Sequence, residues 1–264
     1  MQNHFQHLKH FSVALSFLTV FRLPWHTMTI VAPNELARSF AFYPLVGGIL
    51  GTCCVLIAWG LSPLFPPLLL AALVTASLVV LTRALHLDGL ADMLDGIGGG
   101  HTPERRLDIM KDSHIGSFGA LALMLAVVLK SAAIHQIIAN CSWAALFIAP
   151  AFSRFGMVLL AHGSPYARPS GGLAKPFLEA MTSRDLVTAG ILLMLFSLSF
   201  SLKLSLIFIV ATVSSVMTMK RIAARSLGGI TGDVLGATNE ITEVILFATA
   251  ACLGGSQAGA AFNF

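Results

Sequence analysis

Apolar residues in this chain come in long blocks, at 40 to 61, 68 to 85, 117 to 138, 143 to 162, 186 to 201, 204 to 219 and 240 to 260. Most approach the roughly 20 residues that a helix needs to cross about 30 Å of hydrocarbon. The short blocks at 186 to 201 and 204 to 219 make either a tight hairpin around Lys203 or one long tilted helix. The stretch Phe11 to Phe21 is too short to span, and no small-residue cleavage site follows it, which argues against a signal peptide. With His4, His7 and His10 spaced ahead of it, it reads as a helix lying in the membrane interface rather than as a metal site. The pattern predicts an all-α, polytopic helical membrane protein with about seven transmembrane helices plus an N-terminal interfacial helix. It is one integral-membrane domain over 1–264, with 1–39 as a cytoplasmic or interfacial segment.

Charge decides the hairpin question. If all seven blocks span, segments 1–39, 83–116, 163–185 and 220–239 share one side. Of the 16 Lys and Arg, only Lys130, Arg154 and Lys203 fall outside them. By the positive-inside rule that side, with the N-terminus, is cytoplasmic. A single helix in place of the hairpin would carry Lys220, Arg221 and Arg225 across, so the hairpin is preferred and the C-terminus is outside. Composition agrees: with 56% hydrophobic and 11% charged residues, no soluble domain of this length could hide its apolar surface. The net charge of +4 fits topology and anionic lipid, not nucleic acid. Cys53, Cys54, Cys141 and Cys252 form no CxxC pair, and the His show no HxxxH or HExxH spacing.

The acidic residues sharpen the picture, because all 12 lie in or beside the cytoplasmic segments. Asp88, Asp92, Asp95, Glu104, Asp108 and Asp112 crowd into the segment 86–116. The block at 68 to 85 runs without a break into Leu85 to Gly96, and at about 100° per residue Asp88, Asp92 and Asp95 share one stripe. Like charges at that spacing repel by a few tenths of a kcal/mol, and more at a membrane boundary. A divalent cation would remove the repulsion, and all-oxygen ligands suit one or two Mg²⁺ ions, or Mn²⁺; a solvated acidic helix end is the alternative. After a glycine-rich turn at 96–100, Thr102-Pro103-Glu104 opens a short helix. On it Arg105, Asp108 and Asp112 share a face with Lys111 beside them, before Ser113 to Gly116 ends it. Such a set can clamp phosphates through metal while one further carboxylate takes a proton from an attacking hydroxyl.

Other candidates carry two readings each. Arg154, in mid-span, grips phosphate or a carboxylate, or forms an internal ion pair. Lys130 snorkels to the outer end of its span. Tyr166, Arg168 and Lys175 hold phosphate or a base, or form the basic cytoplasmic rim. Gly228 to Asp233, with Thr231, Gly232 and the nearby Arg225, offers an anion nest. Glu240 and Glu243 cap the last helix at its start.

Asp88-x-x-x-Asp92-x-x-Asp95-Gly96 followed by Asp108 and Asp112 resembles the motif of CDP-alcohol phosphotransferases. It departs from it in lacking Ala-Arg after the Asp-Gly, where Ile97 to Gly100 stand, and in the early second Asp pair. The longer string His86-Leu87-Asp88-Gly89-Leu90-Ala91-Asp92, with Ile109 to Gly116, resembles the cobalamin synthase (adenosylcobinamide-GDP ribazoletransferase) family. Phe42 to Gly47, Ser153-Arg154 and Gly228 to Ala237 follow in that family's order. The resemblance implies a Mg²⁺-dependent transferase that joins adenosylcobinamide-GDP to α-ribazole or its 5'-phosphate, releases GMP and completes cobalamin. The helical phases predict metal at Asp88, Asp92, Asp95, Asp108 and Asp112 and catalysis by Asp112, Asp108 and Asp88; the resemblance to the last Asp of the phosphotransferase pattern, and its place farthest along the chain from the first stripe, make Asp112 the proton acceptor. The partners are the corrinoid and ribazole substrates and membrane lipid; a homo-oligomer or a complex with other enzymes of the pathway stays open. The location is the cytoplasmic (inner) membrane, with the site facing the cytoplasm. The competing readings are a CDP-alcohol phosphotransferase-type phospholipid synthase, a membrane prenyltransferase, whose acidic motifs would sit much farther apart, and a transporter, which would need a repeat not seen here.

Overall fold

The computed structural model describes residues 2–23, 32–168, 171–172 and 174–260. The described chain is helical: α1 (Gln2–Leu18), α2 (Pro33–Ser39), a 3₁₀ turn (Phe40–Phe42), α3 (Tyr43–Leu61), α4 (Pro67–Leu81), α5 (Leu85–Gly99) and α6 (Pro103–Ile109). Then come α7 (Ser117–Ala139), α8 (Trp143–Ala161), α9 (Lys175–Ala180), α10 (Ser183–Leu198), α11 (Leu202–Leu227) and α12 (Gly232–Ala260). Five stretches are long and apolar enough to cross a membrane: Asn34–Leu61, α7, α8, α11 and Gly232–Gly254 of α12; α4 with α5 makes a sixth if that bent pair is one span. At 16 residues α10 is shorter. Its start meets His162 through Ser183, while Phe196 and the following Phe200 pack on Phe147 near the opposite end of α8. It therefore runs between the same two ends as the longer helices, but it falls short of a full span by length, so the described residues give five or six candidate spans where about seven were expected.

Helix α8 is the hub, with 83% of its apolar window buried against 28% for α7 and 33% for α11. A helix apolar on every side belongs inside the bundle, and those with one exposed apolar face belong at lipid. Gly47 and Gly51, one turn apart on α3, let that helix lie directly on α8. A Cβ at Gly47 would stand 2.2 Å from the Pro150 carbonyl oxygen, and one at Gly51 would stand 1.9 Å from that of Phe147. Small residues at this spacing allow backbones to touch where no hydrophobic effect drives helices together.

Three expectations change here. The second span does not run unbroken into the acidic segment, because α5 turns 88° from α4. Arg83 and Ala84 both take φ of 55° at the corner, a left-handed conformation costing about 1–2 kcal/mol per residue. Tertiary bonds hold it: Arg83 donates to the Ser16 and Phe17 carbonyls at 3.0 Å, and the Val20 N–H donates to the Leu81 carbonyl at 2.8 Å. Helix α1 thus serves as a brace, with Val13, Ala14 and Leu18 fully buried, rather than only lying in the interface. The side chain of His4 lies outside the described residues. Gly96 to Gly99 do not form a turn either, since α5 continues through Gly99. Their missing side chains let α6 fold back, as a Cβ at Gly96 would stand 2.9 Å from the Arg106 carbonyl oxygen and 2.5 Å from Met110 Cγ. Thr102 caps α6 as expected, accepting from the Arg105 N–H.

Candidate active site

The first half of α5 crosses the start of α12 at glycines. A Cβ at Gly89 would lie 2.8 Å from the Asp233 carbonyl oxygen, and one at Gly236 would lie 3.2 Å from His86 Cα. This contact carries the acidic stripe of α5 to Asp233, far away in the chain. Beside it opens a cavity of about 330 Å³. Asp88, Asp233, Arg168 and Tyr166 supply its charged and polar lining, and Phe40, Tyr43 and Phe177 its aromatic lining.

Arg168 donates to Asp233 at 3.0 Å, and Thr231 donates to the same carboxylate at 3.1 Å while accepting from the Val234 N–H. Asp88 is exposed and Asp92 half-buried. Burial, together with Asp88, Asp233 and Asp95, pushes the Asp92 carboxyl up to about 7. That is the response of a half-buried carboxylate that is also crowded by like charges.

Asp95 is used differently from the expectation. It is buried, and its two oxygens accept from the Gly116 and Gly119 N–H groups at 2.7 and 2.8 Å. A carboxylate at a helix N-terminus satisfies orphan donors and meets the positive end of the dipole. Asp95→Ala is expected to lower the stability of the detergent-solubilised protein by about 1–3 kcal/mol, the cost of leaving buried N–H groups unpaired. Thermal unfolding monitors that loss.

Asp108 and Asp112 do not line the cavity. Asp108 lies 3.7 Å from Lys111. Asp112 stands beyond the end of α6, where the His114 ring and backbone N–H hold its carboxyl below the usual carboxylate range. Arg105 is exposed on α6, Arg225 is exposed on α11, and Lys175 lies 3.9 Å from Glu179. The segment 228–233 is not an open nest. The Ile230 N–H donates to the Pro165 carbonyl at 2.8 Å and its carbonyl accepts from Ala167 at 2.9 Å. Gly232 lines the cavity at the start of α12.

Arg154 is 1% exposed and pairs with Glu243, and its Nη1 also donates to Ser153 at 3.0 Å. Lys130 does not snorkel: it donates to Glu240 at 2.6 Å and Glu243 at 2.7 Å. Both glutamates stand two turns or more inside α12, which begins at Gly232, so they neutralise buried cations instead of capping the helix. Among the described residues, no three His, Cys, Asp or Glu side chains group closely enough to hold a metal by themselves. Mg²⁺ is usually held by one or two carboxylates, with water and substrate phosphate completing its shell. Asp88 and Asp233, which line the cavity, fit that mode, and Asp92 feels the charge of both. Sequence reasoning gave His86 and Tyr43 no role, although both stand inside the motif strings quoted above, and it missed Phe40 and Phe177, for which spacing carried no signal.

The cobalamin-5-phosphate synthase family matches residues 10–251. The chain is 52% identical to the adenosylcobinamide-GDP ribazoletransferase of Syntrophobacter fumaroxidans, covering 92% of this chain and 98% of that one. It is 40% identical to the protein of that name from Desulfitobacterium hafniense (88% and 92% covered) and 38% identical to that from Pseudomonas aeruginosa (89% and 95%). No solved structure matches. With a polytopic helical bundle, the acidic segment in place and a match over nearly its whole length, the chain belongs to the cobalamin-5-phosphate synthase family.

Proposed function

We infer that this chain is an adenosylcobinamide-GDP ribazoletransferase that carries out the final assembly step of cobalamin. A ribose hydroxyl of ribazole or its 5'-phosphate attacks the corrinoid-side phosphate, the phosphoanhydride bond breaks, GMP leaves, and the hydroxyl proton passes to a carboxylate. The observation that carries this reading is the meeting of Asp88, Asp233 and Arg168 at one cavity, with Asp92 near enough to Asp88 and Asp233 for their charge to raise its carboxyl, in a chain of this family. Arg168 grips phosphate oxygen, while one or two of the carboxylates Asp88, Asp92 and Asp233 would hold Mg²⁺, with water and substrate phosphate filling its shell. Bound there, Mg²⁺ would neutralise charge on the pyrophosphate and on the departing phosphate. Incubating the purified chain with both substrates and Mg²⁺ and measuring GMP tests the reading; no GMP would overturn it.

Asp112 is assigned as the proton acceptor by the motif order; it stands outside the cavity on the loop after α6, beside His114, and would have to reach the attacking hydroxyl from there. Asp112→Asn is expected to lower turnover by about 10²- to 10⁴-fold while keeping the Mg²⁺ requirement. Near-normal turnover would move the role to Asp88, which lines the cavity.

The cavity faces the cytoplasm of a multi-pass cytoplasmic-membrane protein, as the distribution of Lys and Arg supports. In a cysteine-free background, thiols introduced at His101 and Arg225 are expected to label from the cytoplasmic side, and one at Lys203 from the opposite side. Labelling of His101 and Arg225 from different sides would refute this orientation.

A further inference from the structure

We propose that the aromatic part of the cavity seats the base of ribazole, and that His86 recognises the base's free ring nitrogen. The proposal rests on the transferase reading above and adds which substrate enters this cavity and what selects it. At about 330 Å³, the cavity is near the lower end of the roughly 300–1,000 Å³ typical of small-molecule sites. It suits one nucleoside, and the much larger corrinoid must remain outside.

His86 lines this cavity, is 1% exposed, and has no hydrogen-bond partner at either ring nitrogen. Buried polar groups are almost always paired, so an unpaired imidazole on a residue that lines a cavity is a partner for a ligand atom once the ring turns to it. The Phe40 and Tyr43 rings stack with centroids 4.5 Å apart, and Phe177 lies 6.0 Å from Phe40. They give a flat heteroaromatic ring apolar and aromatic surface to pack on.

The two bases in the reaction differ in the chemistry they present. Guanine carries donors and acceptors on more than one edge, and most would be left unpaired against phenylalanine walls, which is costly. The dimethylbenzimidazole of ribazole presents one unsubstituted ring nitrogen, an acceptor, and a methylated hydrocarbon edge. A neutral imidazole has one N–H to donate, and it matches that single acceptor. Because Asp88 and Asp233 line the same cavity, a base seated among the aromatic rings turns its ribose toward the carboxylates. That is where a ribose hydroxyl must be to attack.

Steady-state kinetics on the full chain in detergent test this, varying ribazole at saturating adenosylcobinamide-GDP and the reverse. His86→Leu is expected to raise the ribazole KM about tenfold, the effect of one lost hydrogen bond. The corrinoid-GDP KM should change less than about twofold, as expected of a contact confined to the other substrate. His86→Gln, which keeps a donor, should recover part of the loss. An indole riboside, with C–H in place of the free ring nitrogen, should bind the wild type about tenfold more weakly than ribazole and His86→Leu equally well, closing a cycle between residue and atom. Phe177→Leu should raise the ribazole KM as well, and with the indole riboside on wild type it decides the matter if His86 variants do not fold. An unchanged ribazole KM in both variants would overturn the proposal, and so would a rise confined to the corrinoid-GDP KM. If the wild type released no GMP, the transferase reading would fall. Calorimetric binding of ribazole alone, weakened in His86→Leu, would still uphold the seat, and no binding to wild type would overturn it.

Discussion

Asp92→Asn is expected to lower turnover by about 10²- to 10³-fold, the scale seen when a group stabilising transition-state charge is removed. It should also raise the Mg²⁺ concentration needed for half-maximal rate. The folded protein should lose nothing: Asp92 sits among Asp88, Asp95 and Asp233, whose charges and whose burial of the site push its carboxyl up to about 7. Replacing a repelled carboxylate with an amide relieves that repulsion. The thermal midpoint of Asp92→Asn should therefore equal or exceed that of wild type, the usual opposition between function and stability at a strained site. A lower midpoint with an unchanged Mg²⁺ requirement would make Asp92 a structural residue.

Glu243→Gln should act in the opposite sense, unfolding the protein while leaving the chemistry of any folded fraction nearly intact. Glu243 is fully buried and pairs with both Arg154 and Lys130, and Glu240 is left to balance two cations if it is removed. Breaking a buried pair by removing one partner costs about 3–5 kcal/mol, because it leaves a buried charge uncompensated. The expected result is a large drop in detergent-stable yield. Arg154→Met combined with Glu243→Leu, which removes a cation and an anion together, should recover much of it. If Arg154 instead grips substrate phosphate, Arg154→Met would leave yield unchanged and raise the corrinoid-GDP KM.

The two substitutions separate what could be read along the chain from what could not. The stripe of Asp88 and Asp92 follows from helical phase, which depends only on spacing within α5. The capping of α6 by Thr102 is equally local. Arg154 could be singled out as a costly mid-span cation, but its partner is 89 positions away. Nothing about residue spacing selects Glu243 over a phosphate. Asp95 shows the same limit, since its neighbours on α5 are local but the α7 N-terminus that takes up its carboxylate is not.

By itself the sequence determined the class of the protein, the apolar blocks, the side of the bundle on which charge collects and the acidic character of its reactive segment. Each depends on composition or on periodicity within one helix, and solvation by lipid or water acts on those directly. Only the tertiary structure decided that α5 leaves α4 at 88°, that Gly89 lets Asp233 join the stripe, and that His86 and the Phe40, Tyr43 and Phe177 rings form a cavity wall. These are contacts between elements remote in the chain. They are set by which backbones can approach at glycine and by which buried charges must find partners, conditions that exist only after the helices have packed.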